Sequence, residues 1–445
     1  MLPKRFINGF LLLCSLFFYA WGEPVYVFLM LFSITFNYVI ARMIEQCGSN
    51  KKKLFLILAV LVNLGALGLF KYFNFAVRTL NDIVGYTVMR ERYIPLPIGI
   101  SFYTFQALSY VVDVYKRKVK AQKNFIHLAL YISFFPQLIA GPIIQYKDVN
   151  EQLEHREMTS EKTAVGFYRF FIGLGKKVLI SNVMAGVADT IFGLDYLTMH
   201  SFTAWIGIIS YTLQIYYDFS GYSDMAIGLG KIFGFDFVEN FRLPYTADSI
   251  KNFWTKWHIS LSSWFKEYLY IPLGGNRKGA WNTYRNNLIV FLATGIWHGA
   301  SWNFVIWGLI HGAFLILERM GLGKVLERLP KIFRRIYTML VVMVAWVFFR
   351  VENLSSALDF VKTMFVMRTS TIGGYALTSK EVLIMGIAIF FAGFHEPVLQ
   401  AIQRKTKETS NEVTGAKCVF SLGIYILAVC SLVAGVYNPF IYFRF

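Results

Sequence analysis

Phe253-Trp254-Thr255-Lys256-Trp257-His258, then Gly295-Ile296-Trp297-His298-Gly299, then Leu309-Ile310-His311-Gly312: these three runs lie within one stretch, Phe253 to Gly312. Each histidine sits in or beside long apolar, Trp-rich sequence. An ionisable side chain at bilayer depth is costly to bury, so it marks a functional site by default. The stretch therefore points to a membrane protein that uses buried histidines.

The rest of the chain agrees. Its 445 residues are 56% hydrophobic and 18% aromatic and only 16% charged, too apolar for a common soluble domain. A spanning helix needs about 20 consecutive apolar residues. Such segments recur, which leaves a polytopic membrane enzyme, transporter or scaffold, all-α in class. The net charge of +18 reads as loop charges obeying the positive-inside rule. Basic residues fall in short clusters between apolar runs, so no nucleic-acid partner is expected. The cysteines Cys14, Cys47, Cys418 and Cys430 form no C-x-x-C pair. They predict neither a disulfide framework nor a zinc site.

In chain order, spans are predicted at about 6–21, 24–41, 54–77, 94–115 and 125–146, the first an uncleaved span. Lys4-Arg5, Lys51-Lys52-Lys53 and Lys116-Arg117-Lys118 fall on one side; Glu23 and the acidic 148–161 segment fall on the other. This places the N-terminus in the cytoplasm. Pro95 and Pro97 break any straight helix start. The run from Phe134-Phe135-Pro136 to Gly141-Pro142 predicts a kinked or broken helix, tolerated at membrane depth where it lines a cavity or packs in protein. Arg169, Lys176 and Lys177 interrupt the apolar 163–192 segment and are expected to snorkel or mark a helix end.

Between 203 and 233, Asp218 and Asp224 lie within an aromatic run. They read either as polar groups that accept hydrogen bonds from Ser or Tyr hydroxyls in helix packing, or as a pocket wall that holds a histidine. From Ser249, a plausible N-cap, to Tyr270 the pattern predicts one amphipathic helix. Its aromatic face would carry Phe253, Trp257, Leu261, Trp264 and Tyr268, with His258 at the edge. Pro272 and Gly274-Gly275 end it. The turn with Arg277 and Lys278 reads as a basic cytoplasmic turn or as contact with a phosphate-bearing donor. A span at 286–300 would place His298 about 18 Å along its helix, roughly mid-membrane. Gly299 and Ser301 interrupt it, and a second helix passes His311 to Leu317. Later spans are expected at about 336–349, 380–396 and 417–436, with an interfacial helix at 355–368.

No G-x-S-x-G, H-E-x-x-H or Walker sequence is present. A metal set of His258, His298 and His311 is conceivable but lacks a carboxylate or Cys ligand at helical spacing, so no metal is expected. His298 then reads either as a hydrogen-bonded core residue or as a neutral imidazole acting as general base on a hydroxyl.

The ordered set Pro97 to Tyr103, Phe134 to Pro142, Tyr217 to Asp224, Asn240 to Tyr245, Phe253 to Trp264, Trp297-His298-Gly299 and Pro439 to Phe443 resembles the membrane-bound O-acyltransferase family. The resemblance covers nearly the whole chain, as one domain over 1–445, most densely 93–350. The run Ile271 to Arg277 and the segment Phe219 to Asp224 are similar to its branch that O-acetylates alginate, other polysaccharides or peptidoglycan. The resemblance implies about eleven transmembrane helices, with interfacial and re-entrant helices, around a central funnel. His298 matches the family's catalytic histidine, and His258 a second recurrent one. His311, Asp218, Asp224, Trp297, Trp257 and Asn303 are supporting or pocket candidates; Arg277 and Lys278 are donor-contact candidates.

The implied reaction is acetyl transfer from cytosolic acetyl-CoA across the cell membrane to a surface polysaccharide. Acetyl-CoA acts there as a substrate, and no bound cofactor is expected. An extracytoplasmic hydrolase-like acetyltransferase is the implied partner. Two competing readings are D-alanyl transfer from a carrier protein to teichoic acid, and a transporter or flippase without chemistry.

Overall fold

The structure is a computed structural model that describes residues 4–366, 374–394, 414–435 and 439–441. Its regular structure among these residues is helical. Among the described residues six helices are long and apolar enough to cross a membrane, and the protein is a multi-pass membrane protein. The chain divides into two compact units: residues 1–163 with 229–238, and residues 164–228 with 239–445.

The first unit contains α1 (Lys4–Gly22), α2 (Tyr26–Gln46), α3 (Ser49–Val84), α4 (Ile100–Tyr115), α5 (Phe125–Ser133) and α6 (Tyr146–Glu154). α2 and α3 pack on α4, and α1 packs on α5. Phe10, Leu13, Phe17 and Trp21 of α1 are exposed. Outward apolar side chains of this kind suit a lipid neighbour. The predicted span 94–115 is shorter than expected: α4 begins only after Gly99, whose φ of 75° closes the turn behind Pro97. The predicted break after Phe134 is present. α5 stops at Ser133, one helical turn covers Phe135–Leu138, and the chain is non-helical from 139 to 145.

The second unit holds most of α7 (Ser160–Phe192) and α8 (Ser201–Ile232), then α9 (Ile250–Trp254), α10 (Ile259–Phe265), α11 (Gly279–His298), α12 (Trp302–Glu327), α13 (Lys331–Arg350), α14 (Leu354–Phe365), α15 (Ser379–Ile389) and α16 (Gly415–Ala434). The predicted span 380–396 and the motif Pro439 to Phe443 run partly outside the described residues.

Two expectations need correction here. The stretch 249–270 is not one helix. Ser249 does cap α9, accepting the Asn252 N–H at 3.0 Å, but the helix ends at Trp254. A break over 255–258 leaves His258 in the left-handed conformation, φ 43° and ψ 54°, before α10 starts. Few non-glycine residues adopt that conformation, and histidine is among the more tolerant. Periodicity carried the aromatic face across a break that it could not register. The cations of α7 do not snorkel either. Its backbone widens into a π-helical turn at Lys176–Ser181, and the cations pair inward with carboxylates of α8. Pairing replaces the hydration that burial removes.

Candidate active site

α11 and α12 set the position of His298. They pack against each other through Gly295 and Gly308, where each glycine faces the other helix's backbone: a Cβ at Gly295 would strike the Phe304 carbonyl, and one at Gly308 the Phe291 carbonyl. Small residues allow close crossings of this kind between membrane helices. His298 is the last residue of α11, because Gly299 turns extended at φ −164°. The imidazole is thus delivered at a helix end, under the first turns of α12 and the last turn of α13. Its ring lies 4.9 Å from Trp307, 5.0 Å from Trp297 and 5.2 Å from Phe349, centroid to centroid.

His258 joins it. The two imidazole centroids are 6.5 Å apart, with ring planes at 63°. His258 is fully buried and His298 nearly so, at 0% and 3% exposure. Phe219 meets the His258 ring edge-on at 4.6 Å, and Trp297 lies 6.1 Å away. The break at 255–258 makes this meeting possible, since it turns the chain so that a residue between two short helices faces the end of a third.

His311 stands behind Trp307, which is 5.1 Å from it and 4.9 Å from His298. Trp254 Nε1–H donates to His311 Nδ1 at 3.3 Å, so that nitrogen is an acceptor and the ring proton of neutral His311 is on Nε2. The Glu318 carboxylate holds α9 in place by accepting the Ile250 and Lys251 N–H groups at 2.6 and 3.1 Å. Carboxylates favour such N-terminal positions.

The remaining candidates lie at various distances from the histidine pair. Trp257 is buried, stacked on Phe253 at 5.6 Å and touching Trp346 at 5.0 Å. Asn303 donates to the Val351 carbonyl, which ties α12 to the end of α13. Asp218 accepts from Lys177 at 2.5 Å, from Ser181 at 3.3 Å and from the Ile441 N–H at 2.8 Å. Asp224 takes Arg169 at 2.8 Å and Lys176 at 2.6 Å, and Arg169 also grips Glu239. Both carboxylates thus bind cations of α7.

Two adjoining cavities open beside α9 and α12. One, of about 250 Å³, has Trp254, Leu261, Phe265 and Phe291 in its wall and Lys251, Lys266 and Arg319 among its polar groups. The other, of about 660 Å³, is lined by the charged residues Asp248, Glu318, Lys324 and Arg334 among others. They share Lys251, Leu315 and Arg319. A hydrogen bond from Asn252, opposed by partial burial and aided by Arg334, holds the Asp248 carboxyl below the usual carboxylate range. Arg277 and Lys278 are exposed and line neither cavity; the lining cations are Lys251, Lys266, Arg319, Lys324 and Arg334. Lys251 and Lys266 fall within the stretch that the sequence reads as one amphipathic helix from Ser249 to Tyr270, and nothing in that reading singles them out. Asn240, which contacts the His258 ring, was legible only as the first residue of a motif.

The arrangement is a buried imidazole pair with an aromatic wall, beside cavities that combine an apolar slot with cations. It suits proton transfer to and from a hydroxyl or thiol. Comparison with known proteins points the same way. The model of the membrane-bound O-acyltransferase family matches residues 117–358. The chain is 39% identical to a probable alginate O-acetylase from Azotobacter vinelandii, over 100% of this chain and 95% of the relative. It is 42% identical to a peptidoglycan O-acetyltransferase from Helicobacter pylori, over 80% of this chain and 73% of that one. Similarity to a teichoic acid D-alanyltransferase from Bacillus subtilis is 29%, over 49% of this chain and 58% of that one.

Proposed function

We propose a specific reaction for this chain, which belongs to the membrane-bound O-acyltransferase family and is an O-acyltransferase. It moves an acetyl group from cytosolic acetyl-CoA across the cell membrane for O-acetylation of a surface polysaccharide. His298 is the general base. It takes the proton of the attacking hydroxyl as the new C–O bond forms, the thioester C–S bond breaks, and the proton passes to the departing thiolate. The whole chain, 1–445, acts as one domain of about eleven membrane helices, with its N-terminus in the cytoplasm.

The observation that carries this reading is the meeting of His258 and His298, residues 40 positions apart, in one buried aromatic site. The paired cavities support the donor. A slot walled by Trp254 and Phe291 suits a pantetheine arm, and Lys251, Arg319, Lys324 and Arg334 suit phosphates. His311 touches both Trp254 and Phe291, so the slot lies one side chain from the histidine cluster. Acetyl rather than D-alanyl transfer is favoured because the O-acetylating relatives match 80% or more of this chain and the D-alanyl relative 49%. An extracytoplasmic hydrolase-like acetyltransferase would complete delivery to the polymer.

Membrane vesicles from producing cells, supplied with acetyl-labelled CoA, test the proposal. Wild-type vesicles should pass label to polysaccharide, and His298→Ala vesicles with equal protein should not. Equal labelling by the variant would reject the base. Labelling from a D-alanyl carrier alone would reject the donor.

A further inference from the structure

We infer that Asn240 is a positioning residue that fixes the tautomer of His258, keeping its proton on Nδ1 and leaving Nε2 as a bare lone pair inside the site.

The inference begins with the orientation of an amide. The Ser260 backbone N–H lies 3.2 Å from Asn240 Oδ1. A backbone N–H can only donate, so the atom it faces must be the amide oxygen rather than the amide nitrogen. The other end of the amide donates to Ser223 Oγ at 3.1 Å, a hydroxyl that accepts or donates equally well and so does not oppose this orientation. The same oxygen lies 3.1 Å from His258 Nδ1. Two acceptors cannot share a hydrogen bond, so Nδ1 carries a hydrogen. A neutral imidazole has one N–H. Nε2 is therefore an acceptor, and among the described residues no group hydrogen-bonds to it.

The backbone reinforces this clamp. The Asn240 carbonyl accepts the Ile259 N–H at 3.0 Å, and the Arg242 N–H donates to the Lys256 carbonyl at 3.0 Å. Residues 240–242 thus brace both sides of the left-handed turn at His258. One short segment holds the ring's backbone, its orientation and its proton.

This deepens the proposed reading of the site and rests on it for its catalytic meaning. A neutral His258 locked in this form has no N–H at Nε2 to offer an acyl oxygen; it receives a hydrogen bond instead. The 6.5 Å between the His258 and His298 centroids is too long for a direct N–H···N bond, and it leaves room for one oxygen bonded to both rings at about 2.8 Å each. An oxygen there that donates to His258 Nε2 can accept from His298. That would turn the opposite nitrogen of His298 into the lone pair that takes a substrate proton. Asn240 thus acts on the reaction through His258, as the orienting member of a triad acts through its histidine.

The test is nitrogen NMR of the full-length protein in lipid with ¹⁵N-labelled histidine. The His258 signals are assigned by their loss in His258→Gln. The wild type should show a protonated Nδ1 and a bare Nε2 at His258. Asn240→Asp, which still offers an acceptor oxygen, should keep that pattern and retain transfer within about tenfold; Asn240→Leu should mix the tautomers and lose roughly 10–100-fold. A wild-type His258 with its proton on Nε2 overturns the inference, whatever the variants do. The tautomer is measured without turnover, so it stands or falls separately from the assignment of His298 as base.

Discussion

Gly295 of α11 and Gly308 of α12 face each other with no side chain between them; a Cβ built on Gly308 would lie 3.2 Å from the Gly295 Cα and strike the Phe291 carbonyl. This crossing sets where His298, one turn beyond Gly295, meets Trp307, one residue before Gly308. Gly308→Leu should therefore push the two helices apart. Overpacking of this kind costs about 1–3 kcal/mol. The expected outcome is a lowered melting temperature of the purified protein together with lost acetyl transfer. Unchanged values for both would mean that the helices do not need this close approach.

His298→Ala should abolish surface acetylation while expression and membrane insertion persist. Loss of a general base alone costs about 10²–10⁴ in rate. Near-normal acetylation by this variant, measured on isolated polysaccharide, would remove His298 from the mechanism.

His311→Phe should behave differently. His311 accepts the Trp254 indole N–H, and removing it strands a buried donor at a cost of about 1–3 kcal/mol. Stability should fall, while the folded fraction keeps its rate constant. A loss of rate as large as that of His298→Ala, at unchanged stability, would give His311 a chemical role.

His258→Asn should keep the fold, since asparagine tolerates the left-handed conformation at this position, whereas His258→Leu adds backbone strain to the loss of the ring. The asparagine variant therefore isolates the chemistry. Its melting temperature should stay near wild type while transfer drops by at least tenfold. A collapse of stability in the asparagine variant would show that the ring's packing against Phe219, rather than its hydrogen bonding, is what matters.

Asp218 and Lys177 form a buried pair at 2.5 Å, with side-chain exposures of 2% and 7%. Breaking one side of such a pair costs about 3–5 kcal/mol, whereas replacing both partners is far milder. Asp218→Asn should destabilise the protein strongly, and Lys177→Met should recover much of the loss when combined with Asp218→Leu. Equal stability of the single and double variants would show that the carboxylate contributes through the Ile441 N–H instead.

Local composition and spacing were enough to read the polytopic helical class, the break after Phe134, the Ser249 cap, the turn at Gly274-Gly275 and the interruption after His298. Each depends on a few adjacent residues whose hydropathy, ring constraint or missing Cβ acts on their own backbone. The same local signals misread 249–270 as continuous, because aromatic residues kept helical spacing across a break set by one residue at φ 43°. Asp218 and Asp224 could be recognised as buried polar groups that accept hydrogen bonds, and the Ser181 hydroxyl does meet Asp218, but only the packing of α7 on α8 decided that cations meet both. The meeting of His258 with His298, the hold of Asn240 on His258, and the choice of Lys251, Lys266 and Arg319 over Arg277 and Lys278 as cavity cations were likewise decided by tertiary structure. The physical reason is that contacts across tens of residues depend on where helices end and how closely they cross. Those quantities come from the sum of packing between elements and leave no periodic trace in any one of them.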